Sequence, residues 1–95
     1  ETALARWPAS LTLAVGVGNT LHAAGRPRAA LDHFERTARR HASAAAWINA
    51  GTIALELGQR RRARDAAARA LAIGGEWNDA ARALMQRIDV RPRPD

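Results

Sequence analysis

Residues 43–58 read SAAAWINAGTIALELG, and residues 10–25 read SLTLAVGVGNTLHAAG with the same layout. Both segments begin with a serine, carry a glycine in the middle and end with a glycine, so that Ser10, Gly18 and Gly25 superpose on Ser43, Gly51 and Gly58. Serine before an apolar run is favoured at a helix N-terminus, and glycine is favoured where a helix stops. The two segments therefore predict two copies of one helical unit.

The shift that places Ser10 on Ser43, called the repeat shift below, also aligns residues outside these two segments. The aligned pairs include Asp32 with Asp65, Ala30 with Ala63, Arg28 with Arg61 and Arg36 with Arg69. Because alanine and arginine are common in this chain, their matches carry little weight. The serines and glycines carry the argument, since they mark the start, middle and end of the same helix in both copies.

Caps and helix breakers divide the chain into a short N-terminal helix and five longer ones. The predicted helices cover residues 2–6, 11–24, 27–40, 44–57, 60–73 and 78–90. Ser10 and Ser43 are the predicted N-caps, Pro27 fits the first turn of a helix, and Gly25 and Gly58 each end a helix. Valine and isoleucine never alternate with polar residues over the length of a strand, so we expect an all-α fold. Short connections favour antiparallel neighbours.

The composition limits the possible function classes. The 95 residues carry 15 basic and 9 acidic side chains, a net charge of +6, and 47% of them are hydrophobic, which fits one small domain. All 15 basic residues are arginine, and the chain has no lysine, cysteine or tyrosine. These absences exclude a phosphate-binding P-loop, Schiff-base chemistry, thiol catalysis and disulfides. Because the chain starts with glutamate and shows no signal peptide, we expect it to be part of a larger protein.

Small apolar residues recur every three or four positions along each predicted helix. On the first long helix they are Ala14, Val17, Gly18 and Leu21. Small side chains let helices approach closely, so each stripe is expected to pack against a neighbouring helix. Gly18 is expected to face the region of Ala30, and Gly51 that of Ala63. Phe34 and Trp47 are expected to fill the space between successive units.

These residues resemble the tetratricopeptide repeat, a helix–turn–helix unit of about 34 residues. The matching residues are Trp47, Gly51, Ala63 and Ala70 in the second copy, and Gly18, Ala30 and Phe34 in the first. The resemblance implies an α-solenoid of antiparallel helix pairs in a right-handed superhelical arc. Residues 1–95 are taken as a single domain. The resemblance divides this domain into the end of a preceding repeat at 1–8 and two repeats at 11–43 and 44–77. A capping or third-repeat helix follows at 78–90, and a tail at 91–95.

The resemblance also implies a peptide-binding groove along the first helix of each unit. The groove residues are Thr12, Val15, Asn19 and His22 from the first unit, Ile48, Asn49, Thr52, Leu55 and Glu56 from the second, and Arg82 and Gln86 from the last helix. The lining is neutral and apolar at one end and mixed in charge at the other. Such a surface suits a peptide with aliphatic anchors and polar main-chain contacts.

Asn19 and Asn49 match the two amides with which some proteins of this family hold the acidic tail of a chaperone. The basic members of that clamp are missing, because Val15, Asp79 and Ala83 occupy their positions. Chaperone-tail binding of that type is therefore rejected.

The function implied by the resemblance is a non-catalytic module that binds a peptide or helix of a partner protein. No catalytic, cofactor-binding or metal-binding residue is assigned, because the two serines serve as caps and His33 and His41 lack neighbouring ligands. Self-association through unpaired terminal helices is expected, and no transmembrane segment is expected.

A narrower resemblance concerns the parent protein. Residues 6–8, 18–19 and 24–25 and the later run at 72–75 resemble the C-terminal repeat modules of bacterial lipoproteins with a cysteine-peptidase-like domain. None of that domain's catalytic residues is present here, so no peptidase activity is assigned. The resemblance implies a bacterial protein and leaves the compartment open between cytoplasm and periplasm.

The alternative function is binding of nucleic acid or another acidic surface through the convex face. The arginines concentrate on the second helix of each unit, and they are Arg26, Arg28, Arg36, Arg39 and Arg40, then Arg60, Arg61, Arg62, Arg64 and Arg69. Arginine clusters attract phosphate. Base-stacking aromatic residues are missing from those faces, and Asp32, Glu35 and Asp65 lie among the arginines, so nucleic acid is the less favoured partner.

Overall fold

The structure, a computed structural model, describes residues 9–89, which form five α-helices. The helices are α1 (Ala9–Ala23), α2 (Pro27–His41), α3 (Ala44–Glu56), α4 (Arg60–Ile73) and α5 (Asn78–Asp89). Residues 9–89 contain no strand, so the all-α prediction is confirmed. The predicted helix at 2–6 and the tail at 91–95 lie outside the described residues.

Half of the helix ends fall where the caps and breakers place them. Helices α2, α3, α4 and α5 begin at the predicted residues, and α4 also ends as predicted. The Ser43 hydroxyl accepts a hydrogen bond from the N–H of Ala46 at 3.1 Å, which satisfies an otherwise unpaired donor in the first turn of α3. Gly25 and Gly58 have φ angles of 78° and 76°, the left-handed conformation that glycine adopts without steric cost.

Other ends differ from the prediction. Ser10 is not an N-cap, because α1 already includes Ala9, and alanine has the highest helix propensity. Helix α2 continues to His41 and ends without a glycine, since Ala42 itself takes the left-handed conformation at φ 49°. The N–H groups of Ala42 and Ser43 both bond to the carbonyl oxygen of Ala38, and these hydrogen bonds compensate the strain at Ala42. Helix α3 ends one residue early, at Glu56.

The turn after α1 and the turn after α3 have the same hydrogen bonds. In the first turn, Ala24, Gly25 and Arg26 donate to the carbonyl oxygens of Thr20, His22 and Leu21 at 2.9–3.1 Å. In the second, Leu57, Gly58 and Gln59 donate to those of Ile53, Leu55 and Ala54 at 2.9–3.0 Å. The repeat shift takes the donor and the acceptor of each bond in the first turn onto those of a bond in the second. The shift found in the sequence therefore corresponds to two turns of one conformation.

The helices pack in chain order, with α3 at the centre. Helix α3 contacts α2, α4 and α5, while α1 packs against α2 and α5 against α4. Most buried core residues are alanines, and the largest fully buried side chains are those of Phe34, Leu31 and Ile88. Small side chains at so many contacts allow short distances between helix axes.

The small-residue stripe of α1 is only partly buried. Gly18 is buried, and Ala14 and Leu21 are half-buried. Val17 is 50% exposed, so the prediction that it packs against a neighbouring helix is wrong. Among the described helices, α1 packs mainly against α2, and Leu13, Val17 and Thr20 are exposed.

Gly18 and Gly51 lie where neighbouring side chains leave no room for a β-carbon. A Cβ on Gly18 would lie 2.5–2.8 Å from three carbons of the Phe34 ring. A Cβ on Gly51 would lie 2.7 Å from Leu84 Cδ2 and 3.3 Å from the carbonyl oxygen of Ala63. The predicted approach of Gly51 to Ala63 is confirmed, whereas the nearest atoms to Gly18 belong to Phe34, one turn beyond Ala30.

Alanine at Gly18 is expected to destabilise the protein. Phe34 is 1% exposed and has little freedom to move away from a new methyl group. Overpacking of this kind costs about 1–3 kcal/mol, and improved helix propensity offsets up to about 1 kcal/mol of it. We expect Gly18→Ala to lower the free energy of unfolding by about 1 kcal/mol in urea denaturation.

Gly16→Ala, on the same helix, is the matched control. Nothing lies within 4 Å of a Cβ built on Gly16, so only helix propensity changes. This variant should be more stable than the native chain by about 0.5–1 kcal/mol. Equal changes in the two variants would contradict close packing at Gly18.

Candidate functional site

The predicted groove residues lie on α1, α3 and α5, and all of them reach solvent. Thr12, Asn19, His22, Glu56, Arg82 and Gln86 are exposed. Val15, Ile48, Asn49, Thr52 and Leu55 are half-buried. None of these side chains is enclosed in the core, so each is available for contact with a ligand.

His22 and Glu56 are brought together from different helices. The Nε2 of His22, in the last turn of α1, donates to Oε1 of Glu56, the last residue of α3, at 2.8 Å. The carboxylate of Glu56 lies at the negative end of the α3 dipole, and the imidazole N–H satisfies one of its oxygens. The bond links the C-terminal end of α1 to that of α3.

Three aliphatic residues form the apolar part of the surface. Val15, Ile48 and Leu55 pack against the buried core on one side and remain partly exposed on the other. Because the core contact holds them in place, they present a preformed apolar surface. The Thr52 hydroxyl donates to the carbonyl oxygen of Ile48 at 2.9 Å, so Thr52 adds no unsatisfied donor to that surface.

Asn19 lies one turn after Val15 on α1, and Asn49 directly follows Ile48 on α3. Among residues 9–89, no side-chain hydrogen bond involves either amide. Each amide carries two donors and one acceptor oxygen, which match the N–H and C=O groups of a peptide main chain. At the α5 end of the surface, Arg82 pairs with Asp79 at 3.6 Å and both side chains are exposed.

Arg62 organises charged groups on α2 and α4. Its Nε and one terminal nitrogen hold both oxygens of Glu35 at 2.8 and 2.7 Å, and the same terminal nitrogen contacts Asp32 at 2.7 Å. Its other terminal nitrogen donates to Gln59 Oε1 at 3.2 Å. The guanidinium therefore joins α4 to α2 through a bidentate, charge-assisted contact. The helical pattern of the sequence did not indicate which carboxylates of α2 the Arg62 side chain reaches.

The carboxylates raise the pKa of Arg62 above its ordinary value. The hydrogen bonds to Glu35 contribute most, followed by the bond to Asp32. A raised pKa in the folded state means that the stabilisation is complete below the ordinary arginine pKa and is lost only as pH rises through the raised value. Arg62 therefore stays charged, and keeps its contact with the two carboxylates, at every pH below the ordinary arginine pKa at which those carboxylates are ionised.

Other outer arginines also have partners. Arg64 pairs with Asp89 of α5, and Arg69 pairs with Asp65 of its own helix at 3.0 Å. The guanidinium carbons of Arg39 and Arg69 lie 5.4 and 5.1 Å from the centre of the Trp47 ring, within cation–π range. Much of the positive charge on these helices is thus engaged within the protein.

Residues 9–89 hold no cluster of three histidine or acidic side chains that resembles a metal site. His33 is used structurally instead, because its Nε2 donates to the carbonyl oxygen of Ala14 at 2.7 Å and joins α2 to α1. No helix in the described part of the chain has both the length and the apolar character needed to cross a membrane.

Comparison of the chain with protein-family models, with curated proteins and with solved structures finds no match. The functional argument therefore depends on the geometry described above.

Loss of Arg62 is expected to cost more than loss of its neighbour. The Glu35 side chain is 12% exposed, so Arg62→Met would leave a largely buried carboxylate without its bidentate partner. Because Arg62 is 37% exposed, the cost should stay below that of a fully buried pair, at about 1–2 kcal/mol. Chemical denaturation measures this change.

Arg61→Met is the control, because Arg61 is exposed and occupies the same turn of α4. Its removal should change the free energy of unfolding by less than about 0.5 kcal/mol. If both substitutions cost the same, the contact with Glu35 does not stabilise the fold.

We expect the hydrogen bond between His22 and Glu56 to make only a small contribution to the free energy of unfolding. Both side chains are nearly half exposed, at 42% and 46%, and exposed pairs contribute about 0.2–1 kcal/mol. A double-mutant cycle with His22→Ala and Glu56→Gln should give a coupling free energy in that range at pH 6. A coupling of zero would show that the two groups do not interact in solution.

Proposed function

We propose that this chain is a non-catalytic interaction module of the tetratricopeptide-repeat type, which holds a peptide or helix of a partner protein against α1, α3 and α5. The contact between His22 and Glu56 carries the proposal. The two residues were assigned to one groove from different units of the sequence, and their side chains lie 2.8 Å from each other.

The packing order of the helices supports a stack of similar units. Two turns with the same hydrogen bonds, related by the repeat shift, join α1 to α2 and α3 to α4. Helix α3 also contacts α5, as expected if α5 is the first helix of a following unit. In a stack of this kind the first helices share one continuous surface.

The chemistry of that surface favours a peptide ligand. Val15, Ile48 and Leu55 provide aliphatic contacts that the core holds in place, and Asn19 and Asn49 provide amides for a peptide main chain. A preformed surface loses little conformational entropy when it binds, so modest contacts suffice for measurable affinity.

The ion pairs on the outer helices disfavour the alternative, an acidic partner on the convex face. Arg62, Arg64 and Arg69 contact carboxylates of the protein itself. A phosphate backbone would have to displace those carboxylates before it gained the charge-assisted contacts it needs. The exposed arginines that remain, such as Arg28 and Arg61, are the groups through which an acidic partner would act.

A displayed library of random dodecapeptides tests the proposal. Peptides selected on the native chain are then measured against the groove variant Asn19→Ala/Asn49→Ala by fluorescence anisotropy. We expect at least a tenfold loss of affinity, about 1.4 kcal/mol, because the variant removes both amides that contact the main chain. Circular dichroism should show unchanged helicity, since no side-chain hydrogen bond within residues 9–89 involves either amide.

The matched control is the convex variant Arg28→Ala/Arg61→Ala, which should bind the selected peptides within a factor of two of the native chain. If instead the selected peptides are acidic and lose affinity only for the convex variant, the groove proposal is wrong. A library that yields no peptide with saturable binding would also count against it.

A further inference from the structure

A pocket of about 410 Å³ opens between α1 and α2 beside Ala14, and it is called the Ala14 pocket below. Ser10 and Ala14 line it from α1, and side chains between positions 33 and 41 line it from α2. None of the predicted groove residues belongs to this lining. The volume falls in the range of about 300–1,000 Å³ that is usual for small-molecule sites. The Ala14 pocket is therefore large enough for a ligand with an aromatic ring.

The second unit carries an indole where the first unit has Ala14. The repeat shift takes Ala14 to Trp47, which is 4% exposed. It also takes Arg36, in the wall of the Ala14 pocket, to Arg69, whose guanidinium carbon lies 5.1 Å from the centre of the Trp47 ring. A pocket also remains beside Trp47, but there the indole itself forms a wall. Because the turns within the two units have the same conformation, the Ala14 pocket corresponds to the position of that indole.

The lining of the Ala14 pocket is polar where the second unit is apolar. Under the repeat shift, His33, Thr37 and Arg40 correspond to Ala66, Ala70 and Ile73. Thr37 is 4% exposed, and the His33 imidazole bonds to the carbonyl oxygen of Ala14 at 2.7 Å. A ligand in this pocket therefore meets polar groups that have no counterpart around Trp47.

Arg36 lacks the carboxylate partner of its counterpart in the second unit. Arg69 pairs with Asp65, four residues earlier, at 3.0 Å. The repeat shift takes this pair onto Arg36 and Asp32, but Asp32 bonds to Arg62 at 2.7 Å instead. The contact between the two units thus leaves the guanidinium of Arg36 available to another group.

The Ala14 pocket favours an anionic ligand. Among residues 9–89, neither Arg36 nor Arg40 forms an ion pair or a side-chain hydrogen bond. The described residues that line the pocket include no aspartate or glutamate. Two arginines without an acidic neighbour attract a carboxylate, which a guanidinium can hold through two parallel hydrogen bonds.

We propose that the Ala14 pocket binds an aromatic carboxylate. The ring takes the position that the indole of Trp47 has in the second unit, with Arg36 over its face as Arg69 lies over Trp47. The carboxylate pairs with Arg40. A free aromatic acid and a C-terminal aromatic residue of a peptide share this chemistry. The site is separate from the groove, and the proposal holds whether or not the groove binds a peptide.

Titration of the full-length chain with indole-3-propionate, followed by the NMR shifts of the backbone amides, tests the proposal. We expect saturable binding with a Kd of about 1 mM or lower, which is usual for a ligand of this size, and the largest shifts at Ala14 and Thr37. Indole-3-propionamide has the same side chain without the charge and should bind roughly tenfold more weakly. Acetylglycyltryptophan, with a free C-terminal carboxylate, is titrated in parallel, and the tighter of the two acids identifies the source of the ligand.

Removal of the two guanidiniums should weaken the binding of indole-3-propionate. We expect a roughly tenfold or greater loss of affinity for Arg36→Gln/Arg40→Gln, because the carboxylate loses its charged donors. The matched control is Arg28→Gln/Arg61→Gln, which removes the same charge at exposed positions outside the pocket and should change the affinity by less than about twofold. Equal losses in the two variants, or equal binding of the acid and the amide, would overturn the proposal.

Ala14→Trp tests the position of the ring. The new indole should fill the pocket, leave the chain folded and abolish binding of indole-3-propionate. Because the His33 ring lies beside Ala14, the substitution is also made together with His33→Ala, which reproduces both Trp47 and Ala66 of the second unit. Ala23→Trp, at an exposed position of α1 outside the pocket, is the control and should bind like the native chain. Binding by a folded Ala14→Trp variant would contradict the proposed site.

Failure of both acids to bind the native chain would also overturn the proposal. Binding that appears only after Trp7→Ala would identify Trp7 of the same chain as the occupant of the pocket, and an external aromatic acid would then be the wrong ligand.

Discussion

The helices of this protein approach closely because the residues where they meet have almost no side chain. Gly18 lies against the ring of Phe34, and Gly51 lies against Leu84 and the backbone at Ala63. The core around them is built largely from alanine. This close approach places α3 between α2, α4 and α5.

Several local features were predictable from the sequence, although Ser10 lies inside α1 and not at its N-cap. Among the distant contacts, the approach of Gly51 to Ala63 was predicted and most of the polar contacts between helices were not. The cap at Ser43 and the left-handed glycines at Gly25 and Gly58 follow from local stereochemistry. The bonds from Arg62 to Glu35 join two different helices, and no helical pattern indicates which carboxylate a long side chain will reach. The resemblance to a repeat family indicated the groove residues, but nothing in the sequence indicated that the side chains of His22 and Glu56 would form a hydrogen bond.

Charge is distributed differently on the two sets of helices. Helices α1 and α3 carry a single acidic residue, Glu56, and no arginine, whereas α2 and α4 carry most of the arginines. Several of those arginines hold carboxylates or the ring of Trp47 within the protein. The positive net charge therefore resides largely on α2 and α4, whereas α1 and α3 are nearly uncharged.

The reach of Arg62 has a consequence for cooperativity. In proteins built from repeated units, stability is a sum of terms within units and terms between neighbours, and strong coupling between neighbours suppresses partly folded states. Arg62 belongs to α4, whereas Glu35 and Asp32 belong to α2, so melting of the second helix pair alone would strand two acidic groups on the first. The charge network thereby favours all-or-none unfolding of both helix pairs over fraying from one end of the chain.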